Sequence, residues 1–89
     1  MTQQSDLDRR RMEAVEAFRL GKENQGSDAL VKFMDCLASF LEDNSTLLGR
    51  DEEELLGEII AAQHRGDYIF VADLLEYILP NTALGSVAE

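Results

Sequence analysis

The twelve residues from Tyr68 to Leu79 constrain the fold of this chain most, because ten of them are apolar or aromatic in a protein whose formal net charge is -10. Asp67 can cap a helix that begins there, and Pro80 cannot continue it. At about 100° per residue, the apolar side chains cover roughly 220° of the helix, and Asp73 and Glu76 occupy the remaining polar stripe. Such a helix must pack against more than one neighbour, from this chain or from another protein.

The length allows one domain with a thin core. A chain of 89 residues buries roughly 60 to 65% of the surface that it exposes when unfolded. Its 45% hydrophobic and 29% charged residues are typical of a globular protein. No apolar run approaches the roughly 20 residues that span a bilayer, and the N-terminus has no apolar segment of a signal peptide. We therefore expect a cytosolic protein.

Apolar residues recur at intervals of three and four in the rest of the chain, which predicts further helices. The first is expected to begin at Ser5, as its N-cap, and to end at about Leu20. Its apolar stripe is the least regular, because it contains Arg11. The second is expected to begin at Ser27 and has a clean apolar face, formed by Leu30, Phe33, Met34, Leu37, Phe40 and Leu41.

A third helix is predicted from Asp51, which resembles a capping box with Glu54, to about His64. The connections between the helices are short, and short connections favour antiparallel neighbours. Gly26 and Gly66 stand at matching places before the second and fourth helices, so the two halves of the chain look loosely alike.

We therefore predict an all-α fold, a small four-helix bundle made of two antiparallel helical hairpins. It forms a single domain over residues 1–89, with frayed ends at 1–4 and 81–89. The chain has one cysteine, Cys36, and one histidine, His64. An internal disulfide is excluded, and we expect no metal and no cofactor.

The acidic residues are concentrated in the second half of the chain. Residues 1–41 carry seven acids and six bases, whereas residues 42–89 carry eleven acids and two bases. This distribution argues against binding to nucleic acid or to an anionic membrane, both of which need a basic face. It supports an alternative function, an acidic regulator that occupies a basic surface of its partner.

Three short motifs carry little weight. "GSDAL" at 26–30 resembles the attachment site of acyl carrier proteins, but Ser27 precedes the acid here, and only this motif and the acid run at 51–54 support a carrier or an enzyme. "DNSTLLGRDEEE" has the length of an EF-hand loop, but Leu47 stands where a calcium ligand is needed. "RGD" at 65–67 is most simply a turn and a helix cap.

Two resemblances concern the C-terminal half. "LLGEIIAAQHRGDYIFVADLLEYILP" resembles one tetratricopeptide unit, in which a helix ends at a Gly, Asp, Tyr turn and a second helix runs towards a proline. It departs from that pattern at Glu58 and Val71, and no second unit follows, so the resemblance implies a helical hairpin and not membership. "DYIFVADLLEYIL" followed by proline also resembles the C-terminal end of small uncharacterised bacterial all-helical proteins, which implies a bacterial origin.

The surplus of apolar surface suggests a non-enzymatic protein-interaction module, which self-associates as a homodimer or acts as a small adaptor or chaperone through its last helix. The equally weighted alternative is that this helix is central in the bundle. The predicted partner-binding residues are Phe70, Leu74, Tyr77, Tyr68 and Ile69. Ala72 and Leu79 are also expected to be open to a partner, and the residues expected to face the core are Val71, Leu75 and Ile78.

Overall fold

The computed structural model describes residues 3–82 and 84, and within them the chain forms helices and no strand. The last helix continues as a π-helical turn, Leu74–Ile78, and a 3-10 turn, Leu79–Asn81, and a further 3-10 turn, Ser45–Leu47, lies between the second and third helices. The predicted all-α bundle is confirmed. The four α-helices are α1 (Gln3–Arg19), α2 (Glu23–Asp43), α3 (Arg50–His64) and α4 (Tyr68–Asp73).

Two glycines turn the chain between paired helices. Gly21 and Gly66 have φ values of +77° and +75°, in the left-handed region where a Cβ is disfavoured. The N–H of Lys22 donates to the carbonyl of Ala17 at 2.8 Å, and the equivalent bond after Gly66 is 2.9 Å long, which is the Schellman pattern of helix termination. The turn glycine that corresponds to Gly66 is therefore Gly21, and Gly26 lies inside α2.

The first pair, α1 and α2, is an antiparallel hairpin. Near its turn the ring of Phe18 lies against Gly26, so closely that a Cβ on Gly26 would be 2.5 Å from the ring. At the far end Leu7 shares a small cavity with Phe33 and Leu37. α1 also packs along α4 and its π-helical turn, and α3 packs against α4. α1 and α4 are thus the inner helices, and α2 and α3 lie on the outside.

Every helix contributes a stripe to one core, and the last helix contributes a large share. The chain itself therefore covers most of the broad apolar face of the last helix. The core also includes Leu84, so it extends beyond Pro80. The buried apolar residues are Leu7, Ala14, Val15, Phe18, Leu30, Phe33, Leu37, Leu55, Ile59, Ala62, Val71, Ala72, Leu74, Leu75, Leu79 and Leu84.

The first two helices begin earlier than their predicted caps. α1 begins at Gln3, so Ser5 is inside the helix, and α2 begins at Glu23, so Ser27 is in its second turn. α2 begins before Ser27 because the turn at Gly21 leaves only a short link before the chain runs back along α1. Cap residues alone do not predict this start, because it depends on the packing of α2 along α1.

The start of α3 also differs from the predicted capping box of Asp51 and Glu54. The helix begins at Arg50, and the N–H of Gly49 donates to the Glu52 carboxylate at 3.0 Å. The N-terminal motif is therefore placed two residues earlier. Asp67 does precede α4, as predicted, but its carboxylate makes no capping hydrogen bond in the structure.

The end of the last helix is reshaped by Pro80, which has no N–H and whose ring clashes with the carbonyl four residues earlier in an α-helix. The N–H of Leu79 donates to the carbonyl of Leu74, five residues back, so the turn is π-helical. The carbonyl of Leu75 would need a donor at position 79 or 80, and it accepts a 2.9 Å hydrogen bond from Nη1 of Arg11 instead.

This bond explains why α1 carries Arg11 inside its apolar stripe. The side chain is only 11% exposed, and its Nη2 donates to the Asp8 carboxylate at 2.7 Å. The wider π-helical turn also changes which residues point inward, because Leu79 takes the inward direction that α-helical spacing assigns to Ile78. The prediction that Ile78 faces the core is therefore wrong, since its side chain is 48% exposed.

Replacing Gly26 by alanine tests the close approach of α1 and α2. A Cβ there would overlap the buried ring of Phe18, so we expect Gly26→Ala to lower the free energy of unfolding by about 1 to 3 kcal/mol. Gly57→Ala is the matched control, because a Cβ at Gly57 meets nothing within 4 Å and alanine is favoured inside a helix by about 0.5 to 1 kcal/mol. Urea unfolding should give opposite signs for the two variants, and equal signs would contradict the described helix contact.

Replacing Arg11 by methionine tests the capping of the last helix from α1. The Leu75 carbonyl would lose its donor in a partly buried position, so we expect the free energy of unfolding to fall by about 1 to 3 kcal/mol. Arg19→Met is the control, because Arg19 forms more exposed ion pairs, which contribute about 1 kcal/mol or less. An equal loss in the two variants would show that the Arg11 bond has no special weight.

Candidate functional site

The residues predicted to bind a partner do not form one surface. Leu74 is 3% exposed and belongs to the core, so the structure contradicts its placement on a binding face. Tyr68 is half-buried and stacks on Phe18, with ring centroids 5.3 Å apart and an interplanar angle of 9°. Phe70 is also half-buried, and the guanidinium of Arg65 lies 5.7 Å from its ring centroid.

The two remaining residues, Ile69 and Tyr77, are exposed but belong to different turns of the helix, with an ionic cluster along the stripe between them. Arg19 donates from Nη2 to Asp73 at 2.9 Å and to Glu76 at 2.8 Å, and these hydrogen bonds raise the pKa of its guanidinium. The polar stripe predicted on the last helix therefore binds α1 through ion pairs. Ile69 and Tyr77 therefore do not form a continuous apolar patch with each other.

The flanks of the last helix are closed as well. Ala72 and Leu79, which were expected to be open to a partner, are buried in the core. Val71 and Leu75 face the core as predicted. The burial of these four residues leaves α4 and its continuation little uncovered apolar surface beyond the exposed residues Ile69, Tyr77 and Ile78.

A second uncovered apolar surface lies between α2 and α3, where a groove of about 280 Å³ separates the two outer helices. Its floor contains the buried side chains of Leu30 and Ile59. Its walls contain Val31 and Met34 from α2 and Ile60 from α3. Val31 is 59% exposed and Ile60 is 49% exposed, so apolar side chains face solvent from both walls. We call this feature the α2–α3 groove.

One end of the α2–α3 groove is closed by a polar contact. Nε2 of Gln63 donates to the hydroxyl of Ser27 at 2.8 Å. Ser27 is the residue that the sequence suggested as a helix cap or a carrier site. Asp35 and His64 are the ionisable side chains that line the groove. The Ser27 hydroxyl is thus engaged in joining α2 to α3.

An acidic row runs along the outer side of α2, and its first two members lie within the length of the groove. Asp28, Asp35 and Glu42 follow one another at intervals of seven residues, which places them nearly in line along a helix. All three are exposed, and within residues 3–82 and 84 none of them forms an ion pair. Lys32 lies on the same outer face of the helix and Glu53 is exposed on α3. The groove is therefore apolar inside and has an acidic rim.

Other clefts are less suited to apolar ligands. A cleft between α1 and α2 is lined by charged residues and by the half-buried Cys36. A cleft between α1 and the last helix contains Leu20 and Tyr77, but it also contains the ionic cluster of Arg19 and Glu76. Among the described residues no group of three or more His, Cys, Asp or Glu side chains could hold a metal ion.

No family model, curated protein or solved structure matches this chain. Within the described part of the chain, no helix has both the length and the apolar character that crossing a membrane requires. Neither Val31 nor Ile60 was among the partner-binding residues predicted from the sequence. Each of them lies next to the buried stripe of its helix. The apolar faces of α2 and α3 are therefore wider than a single packed neighbour covers, and this width was the signal in the sequence that could have indicated the groove.

The groove walls can be distinguished from the core by their effect on stability. We expect Ile60→Ser and Val31→Ser to change the free energy of unfolding by about 1 kcal/mol or less, because both side chains are largely exposed. Ile59→Ala, one position before the wall residue, should cost about 2 to 5 kcal/mol. A large loss in Ile60→Ser, measured by urea unfolding, would show that the wall is part of the core.

Proposed function

We propose that this protein is a non-enzymatic protein-interaction module that holds an apolar segment of a protein partner in the α2–α3 groove. One observation carries the proposal: Val31 and Ile60 project from opposite walls over a buried apolar floor, and both remain exposed to solvent. Uncovered apolar concavities of this kind mark binding sites for apolar ligand groups. The polar closure at Ser27 and Gln63 gives the groove a defined end.

This proposal keeps the predicted class of function and changes the surface that performs it. α4 was expected to provide the anchors, but Leu74 is buried and the exposed pair Ile69 and Tyr77 is interrupted by the Arg19 cluster. The groove offers apolar side chains from two helices on one continuous surface. The homodimer, the cytosolic location and the bacterial origin stay predictions.

A selection from a library of random displayed peptides tests the proposal. We expect peptides selected on the wild-type protein to lose at least about tenfold in affinity for Ile60→Glu, because a carboxylate on the wall would be desolvated by an apolar ligand. Ile69→Glu is the matched control, since it introduces the same charge at an exposed isoleucine away from the groove. Peptides that bind all three proteins equally would contradict the proposal.

The charge distribution favours a second candidate function, an acidic regulator that occupies a basic surface of its partner. Where α2 ends and α3 begins, the exposed acids Glu42, Asp43, Asp51 and Glu53 are accompanied by Arg50. A partner bound there would be released by roughly 0.5 M salt and would not respond to Ile60→Glu. Salt titration of the complex, carried out on the wild type and on Ile60→Glu, therefore distinguishes the two functions.

A further inference from the structure

We propose that the occupant of the α2–α3 groove is an amphipathic α-helix of another protein, whose apolar stripe is flanked by lysine or arginine. This inference rests on the proposed function and adds the conformation and the charge of the partner segment. It follows from the shape of the groove and from the acidic row beside it.

The geometry favours a helix over an extended peptide. α2 and α3 leave a longitudinal seam in which Ser27 lies opposite Gln63 at one end. The lining of α2 from Ser27 to Asp35 is about 12 Å long at the rise of an α-helix, which matches about two turns of a docked helix. A helix satisfies its own backbone hydrogen bonds, whereas an extended peptide needs a strand edge to pair with. Residues 3–82 and 84 provide no strand.

The rim determines the charge of the partner. A helix in the seam would place the flanks of its apolar stripe beside Asp28 and Asp35, the two acids of the row that lie within the length of the groove and whose carboxylates form no ion pair in the described structure. Basic flanks on the partner would be attracted there, because Asp28 and Asp35 outnumber Lys32 on this face of α2. Acidic flanks would be repelled by the same carboxylates.

A second copy of this chain fits the groove poorly. Two copies that met at their grooves would bring two acidic rims together, in a protein of net charge -10, and like charges facing each other across an interface are unfavourable. The row of acids therefore selects against self-association at this surface and for a partner of the opposite charge.

The probes for the test are two synthetic helical peptides of about 18 residues, or five turns. Both carry leucine at positions i, i+3, i+4 and i+7, and their flanks are either lysine or glutamate. We expect the lysine peptide to bind with a dissociation constant on the order of micromolar, because its interface with the groove is smaller than the interfaces of stable complexes. It should bind at least about tenfold more tightly than the glutamate peptide, and roughly 0.5 M salt should reduce the difference.

Matched variants separate the rim from general attraction to an acidic protein. Asp28→Asn with Asp35→Asn removes the two charges of the row that flank the groove, and we expect the affinity for the lysine peptide to fall about tenfold. Asp51→Asn with Glu58→Gln removes two charges from the opposite side of α3 and should change the affinity for the lysine peptide by less than about twofold. A lysine peptide with its leucines scrambled off the stripe should not bind the groove, as followed by NMR shifts of the Val31 and Ile60 methyl groups.

Each other outcome has a distinct meaning. If the glutamate peptide binds the groove as tightly as the lysine peptide, the inference on charge is overturned and the proposed function stands. If neither peptide responds to Ile60→Glu, the groove is not the binding site and both fail. If sedimentation shows a wild-type dimer at high micromolar concentration that Ile60→Glu dissociates, the occupant is a second copy and the inference is overturned.

Discussion

The missing N–H of Pro80 is the constraint on which the last helix and its attachment depend. It ends the regular hydrogen-bond pattern, so the chain forms a π-helical turn in which the Leu79 N–H reaches Leu74. The wider turn directs Leu79 inward and Ile78 outward. It also leaves the Leu75 carbonyl to Arg11, which joins the end of the last helix to α1. The lack of one N–H thus accounts for the inward position of Leu79 and for a contact between distant parts of the chain.

The helices could be predicted from the sequence because their apolar spacing is a local property of each segment. Their first residues could not, because α2 begins where the Gly21 turn and the packing of Phe18 on Gly26 allow, and not at the capping residue Ser27. The irregular position of Arg11 in its stripe was visible in the sequence. Its acceptor was not, since the Leu75 carbonyl is free only when the helix ends in a π-helical turn.

The candidate site shows the same limit more strongly. Periodicity identifies the apolar face of a helix but does not say which neighbour covers it, so the broad face of the last helix suggested a binding surface that the chain itself buries. That neighbour is α1, whose Arg19 pairs with Asp73 and Glu76, more than fifty residues away in the sequence, and the apolar spacing of a single helix does not reveal such a contact. Covering that helix leaves the outer helices, with Val31 and Ile60, less fully packed.

The central position of α1 and α4 has a mechanical consequence for the groove. Its two walls are connected through the inner helices, since α2 packs on α1, α3 packs on α4, and α1 packs on α4 away from the groove itself. The distance between the walls is therefore set largely by the contact of α1 with α4, with the Ser27 and Gln63 contact as a polar tie at one end. A substitution in that contact would therefore change the groove without altering any residue that lines it, because a packed interior transmits strain.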